Sequence, residues 1–165
     1  MGYEVIARIQ RAGNQQAEAR MDFQQKPDEF VSYIAQVSRD FNHARTNFLD
    51  RHDHWKLLSE KNYGKLVAIE KLPNDRGFNG SVLGKSFSMY LSPLVVNGRG
   101  RAEIIVTTVD LLGKDVEISR FNVDRDGNLA DSFAIEGGDR DDLMSIKIFM
   151  GVLRKVLETP IRSGR

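Results

Sequence analysis

Three histidines fall close together in the chain, His43, His52 and His54. Imidazole is the side chain best suited to bind a metal or carry a proton near neutral pH. On a helix, Asp50 precedes His54 by four residues and His43 precedes Asn47 by four, so each pair shares a face and could supply two ligands or an acid-base pair. His43 and His54 would lie ~16 Å apart along the axis, too far to share one ion. No third ligand is nominated by spacing, so solvated helix-face residues are the preferred reading. An enzyme built on Asp50 and His54 is kept as an alternative.

Two loop motifs fail at defining positions. Asn79 to Ser86 ends in Gly-Lys-Ser like a phosphate-binding loop, but the required earlier glycine is Asn79, with Gly80 one place late. Phe87 to Ser92 alternates like a strand where that loop should open a helix, and Thr107 and Thr108 interrupt the apolar run a metal-binding strand would need. Asp124, Asp126 and Asn128 resemble the first ligands of a calcium loop, yet the sixth position is Leu129 and the twelfth is Ile135, with Glu136 one residue off. A hairpin turn explains those residues with fewer assumptions. No cofactor and no metal is expected.

Surfaces offer more. Lys85, Arg99 and Arg101 are the only charges between Gly77 and Ala102, and Phe87 and Tyr90 lie among them. Cations beside rings on a sheet are how several folds hold single-stranded nucleic acid. Glu103, Glu117, Asp124 and Asp131 in the same sheet would repel phosphate, so solvated strand charges with Phe87 in the core is the better reading. Phe41, Phe48 and Trp55 sit seven apart and would line one helical seam. Rings so spaced usually face another layer of the same fold. Any part of the seam that outruns its sheet would favour a protein partner or a second subunit. If the seam joins subunits, Phe48→Asp or Trp55→Asp should leave a folded monomer.

The elements that must hold these residues follow from periodicity. Phe30, Ile34, Val37, Phe41, Ala44, Phe48, Trp55 and Leu58 step by threes and fours from Asp28 to Asn62, interrupted where Arg51 stands on the apolar stripe. One straight helix of that span would be ~50 Å long, so it has to bend, break near Arg51 or protrude. Pro27 with Asp28 and Glu29 starts it, and Gly64 stops it. Before it, Tyr3 to Gln10 and Ala17 to Gln24 alternate around a turn at Gly13 and predict an N-terminal hairpin. Residues 65–72 are too short an apolar run to classify, and 73–80 reads as a flexible connection.

Four strand-like runs follow, 83–92, 102–110, 116–123 and 129–135, separated by turns at Asn97-Gly98, Gly113 and Asp126-Gly127. They predict an antiparallel meander in which Pro93 must lie at an edge or a bulge. From Asp139, Leu143, Ile146, Phe149, Met150, Leu153 and Leu157 mark a helix ending before Pro160, and 161–165 read as a disordered tail.

The class is therefore α+β: an antiparallel sheet, a four-strand meander with an N-terminal hairpin, covered on one face by a long helix and a C-terminal helix. A single domain over 1–160 fits the length of 165 residues. A net charge of +1 argues neither for nor against nucleic acid, and the absence of cysteine removes disulfides and thiol chemistry. No apolar run approaches a membrane span, and the N-terminus has no signal-like segment, so a cytoplasmic protein is expected. The functional expectation is a non-catalytic binding or assembly protein, homo-oligomeric through the long helix. Nucleic-acid binding through the basic sheet surface is the first alternative.

Overall fold

The computed structural model describes residues 21–130 and 141–163. The chain divides into two compact units, Met1–Ile34 and Ala35–Arg165. In the first, residues 21–26 are without regular structure and lead into helix α1 (Pro27–Leu49), which runs on into the second unit. The N-terminal hairpin expected over 3–24 lies largely outside the described residues.

The long apolar stripe does break at Arg51. Helix α1 ends at Leu49 and α2 (His52–Lys61) begins after the two-residue interruption. Asp50 and Arg51 still donate to Thr46 and Phe48 carbonyls, so the chain turns without leaving helical geometry far behind. The cause is visible in the sequence. An arginine cannot follow the stripe into the core, and its guanidinium instead donates to the Gly127 carbonyl at 2.8 Å and to Asn128 Oδ1 at 2.9 Å.

The sheet is an open five-stranded antiparallel meander in sequential order: β1 (Val67–Lys71), β2 (Gly77–Val82), β3 (Lys85–Val96), β4 (Arg99–Val109) and β5 (Asp115–Val123). The unclassified run at 65–72 is thus β1. The stretch expected to be flexible holds a single 3-10 turn, Pro73–Asp75, and then β2. Its glycine content reflects packing: a Cβ on Gly80 would sit 2.3 Å from the Ala68 carbonyl oxygen and 2.9 Å from the Phe87 ring. Asn97 and Gly98 take φ of +52° and +73° and join β3 to β4, the two-residue turn expected of Asn-Gly. Pro93 pairs with Ala102 on β4, while β2 has already ended at Gly77, the partner of Tyr90. Its missing donor therefore removes no ladder bond. Of the fourth expected strand, Leu129 bridges Val123 antiparallel and Ala130 donates to Asn122; 131–135 lie outside the described residues.

Strand alternation gives the sheet one apolar face, carrying Ile69, Phe78, Phe87, Met89, Ile104 and Val106. Helices α1, α2 and α3 (Asp141–Glu158) supply the other half of the core through Phe48, Trp55 and Phe149. Phe48 and Trp55 meet edge to face with centroids 5.5 Å apart, and Trp55 stacks on Phe149 at 5.0 Å. The protein is thus α+β, with an antiparallel sheet and helices packed on one face. The tail from Ile161, expected to be disordered, is tied in part: the Arg162 carbonyl accepts the Leu111 N–H, which the β4–β5 turn leaves unpaired. No helix of the described residues is long and apolar enough to cross a membrane.

Candidate functional site

The three histidines have separate surroundings. His43 is exposed on α1. His52 stacks on Phe78 with ring centroids 6.1 Å apart, and its Nε2 lies 3.8 Å from the Glu70 carboxylate. His54 Nδ1 lies 2.9 Å from the Ser145 hydroxyl, whose residue also accepts the Trp55 indole N–H through its carbonyl at 3.0 Å. Ser145 is buried, so this pair of bonds docks α2 onto α3. Asp50 occupies the α1–α2 interruption and is exposed. Among the described residues no group of three or more His, Asp and Glu could hold a metal ion.

Both discounted loops have structural occupations. Gly84, with Leu83, forms the turn between β2 and β3 at positive φ, and Lys85 and Ser86 open a strand. Asp124 Oδ1 accepts the N–H groups of Asp126 and Asn128 at 2.9 and 3.1 Å, so its carboxylate is committed to holding its own turn. That turn in turn anchors α1: the Asn47 amide donates to the Arg125 carbonyl at 2.9 Å.

The five residues proposed to hold nucleic acid are divided between the two sides of the sheet. The register Tyr90 opposite Ile105, Leu94 opposite Arg101 and Val96 opposite Arg99 puts Tyr90, Arg99 and Arg101 on the face away from the helices. Lys85 and Phe87 share the opposite face with Met89. Phe87 is a core residue, and the Lys85 ammonium donates to the Thr159 carbonyl just beyond the C-terminus of α3, where positive charge is favoured.

On the outer face, charge is largely paired. Arg101 donates to Asn122 Oδ1 at 2.9 Å, and Arg120 bridges Glu103 and Glu117, each at 2.8 Å. The Arg120 hydrogen bond holds the Glu117 carboxyl below its ordinary range, and the same bond raises the guanidinium further. The Tyr90 hydroxyl donates to Asp115 Oδ2 at 2.8 Å, which raises the phenol above its usual value.

The aromatic seam is likewise divided. Phe48 and Trp55 are fully enclosed in the chain's own core, with no surface to offer a partner. Phe41 is half-buried, with the Arg45 guanidinium 5.4 Å from its ring centre. The unoccupied part of the stripe lies further toward the N-terminus. Phe30, Val31, Tyr33 and Ile34 are 42, 64, 43 and 52 % exposed, and the Phe30 and Tyr33 rings touch with centroids 5.9 Å apart.

Two features escaped the sequence reading. Asp40 is buried on α1, accepting from the Gln36 amide at 2.9 Å and the Gly100 N–H at 3.1 Å, with Arg125 at 3.8 Å. Its place on the apolar stripe between Val37 and Ala44 was the available signal. The second is a groove of about 150 Å3 between α3 and strands β4 and β5, floored by Val106, Phe121, Ile148 and Val152. Its rim carries Lys147, Gly151 and Lys155, a spacing of four and four that was legible on the helix.

The fold and site define an α+β protein with an open antiparallel sheet and an exposed apolar helix segment. Compared with protein-family models, curated proteins and solved structures, the chain matches none of them.

Proposed function

We propose that this protein is a non-catalytic assembly module that self-associates through the N-terminal half of α1. The observation that carries the reading is the exposed apolar stripe of Phe30, Val31, Tyr33 and Ile34. Four large apolar side chains within two turns of helix are costly to leave in water, and contiguous patches of this kind mark interaction surfaces.

A second copy of the same helix is a suitable cover. Pairing two α1 helices antiparallel about Ile34 brings Phe30, Val31 and Ile34 of each copy into one contact, because positions three and four apart share a helical face. Such an isologous contact repeats each favourable pair twice. The side chains that could do chemistry support the non-catalytic part of the reading, since the Ser145 hydroxyl that meets His54 is buried and Asp124 is held by its own turn.

The test is sedimentation of the wild-type chain beside a Phe30→Asp/Ile34→Asp double variant. A dimer that becomes a folded monomer is the expected result, its melting temperature lower only by the loss of association, since exposed positions themselves tolerate substitution within about 0.5 kcal/mol. A wild-type protein that stays monomeric at about 0.1 mM would dispose of self-association.

A further inference from the structure

The groove beside α3 combines three properties that the assembly reading does not use. Its floor is apolar, formed by Val106 and Phe121 from the sheet and by Ile148 and Val152 from the helix. Lys147 and Lys155 flank it, and among the described residues neither ammonium has an ion-pair partner, nor does any carboxylate line the groove. Between the two lysines, one helical turn from each, stands Gly151. Glycine is among the most destabilising residues in a helix interior. Here nothing in the packing requires it, because a Cβ at Gly151 would meet no atom within 4 Å. The other described glycines either relieve a contact, as Gly80 and Gly100 do, or take a positive φ, as Gly98 does. At Gly151 it leaves space instead, at the rim of an apolar groove and between two cations.

From this arrangement we infer that the groove is a binding site for a small amphipathic carboxylate, its apolar body of about six to eight carbons lying between Phe121 and Val152 and its carboxylate over Gly151, within reach of Lys147 and Lys155. The size follows from the space of about 150 Å3, since an apolar cavity of about that volume holds a benzene-sized group. The charge follows from complementarity. The lysines are ~12 Å apart along the helix axis, and their flexible stems bring both ammonium groups toward a single anion at the midpoint.

Octanoate is the probe and octanamide its uncharged counterpart, each titrated into the full chain while the amide resonances of Gly151 and Val152 are followed. The expected result is a saturable shift with octanoate and at least about tenfold weaker binding of octanamide. A Lys147→Gln/Lys155→Gln variant should lose a similar factor, and its residual binding should no longer respond to salt. Gly151→Leu fills the groove and should abolish binding while melting no lower than wild type, since leucine is the better helix former. Three results would each overturn the site: no saturable shift with octanoate, equal binding of the amide, or a Gly151→Leu variant that binds normally. A Gly151→Leu chain that melts lower while the wild type ignores octanoate would mean that the chain's own residues fill the groove.

Discussion

Replacing Gly100 by alanine isolates the contact that fixes α1 on the sheet. A Cβ at this position would stand 2.7 Å from the Asp40 Cβ, 2.9 Å from the Val37 carbonyl oxygen and 3.2 Å from the Val37 Cα. Two carbons relax at about 3.5–4.0 Å, so the helix must withdraw by about 1 Å at this crossing. Overpacking of that kind costs about 1–3 kcal/mol. Withdrawal also stretches the 3.1 Å hydrogen bond from the Gly100 N–H to the buried Asp40 carboxylate, and a bond to a charged group contributes about 1.5–3 kcal/mol. Some of that survives through relaxation, so a total near 3 kcal/mol is expected, or a fall in Tm of about 6–12 °C for a chain of this size.

Gly98→Ala is the control. Gly98 takes φ of +73° but has nothing within 4 Å of its Cβ position, so only the left-handed backbone resists, at about 1–2 kcal/mol. Thermal and urea unfolding of both variants distinguishes the two. Gly100 has no positive φ to defend, and a Gly→Ala change free of strain usually stabilises by about 0.4–1 kcal/mol. A Gly100→Ala protein as stable as wild type would therefore mean that α1 does not cross β4 at Val37 and Asp40.

The buried rings should behave as core. Phe48→Ala and Trp55→Ala are each expected to cost about 3–5 kcal/mol, and Phe48→Asp or Trp55→Asp to unfold the chain in place of releasing a folded monomer, as circular dichroism would report. The outer sheet face carries a pH signature. With Asp115 raising the Tyr90 phenol, the folded state holds that proton more tightly than the unfolded chain does. The associated stabilisation is present below the ordinary tyrosine pKa and is lost as pH rises through the higher folded value. Absorbance titration of the phenolate should place Tyr90 at lower pH in Asp115→Asn than in wild type, and an unmoved titration would remove the hydrogen bond as its cause.

Local signals were the legible ones. The three-and-four spacing of α1 and α2, the interruption at Arg51 and the Asn97-Gly98 turn each depend on residues within a few positions of one another, and each was found where the sequence puts it. Strand β2 was hidden because Gly77 and Gly80 read as loop, whereas the neighbouring strands require them. The proposed grouping of Lys85 and Phe87 with Tyr90 was undone by parity, since residues an odd number apart on a strand face opposite ways. The Lys147, Gly151 and Lys155 spacing was present in the sequence too. Its meaning depended on Phe121 and Val106 arriving from other strands, which no local pattern announces.

Asp40 marks where α1 meets its sheet. Apolar positions after it on α1, Ala44 and Phe48, are buried, and those well before it, Phe30 and Ile34, are not. Apolar contacts alone would leave a helix free to slide along its sheet, because they are non-directional. The carboxylate removes that freedom. It is buried, and it is satisfied only where the Gly100 N–H meets it, with the Gln36 amide and Arg125 alongside. A slip of one turn, about 5.4 Å, would carry it away from Gly100 and Arg125 and leave a buried charge poorly paired, a penalty of about 3–5 kcal/mol. Register is thus held by polar contacts as well as by packing, this one together with those of Asn47 to the Arg125 carbonyl and of Arg51 to the Gly127 carbonyl.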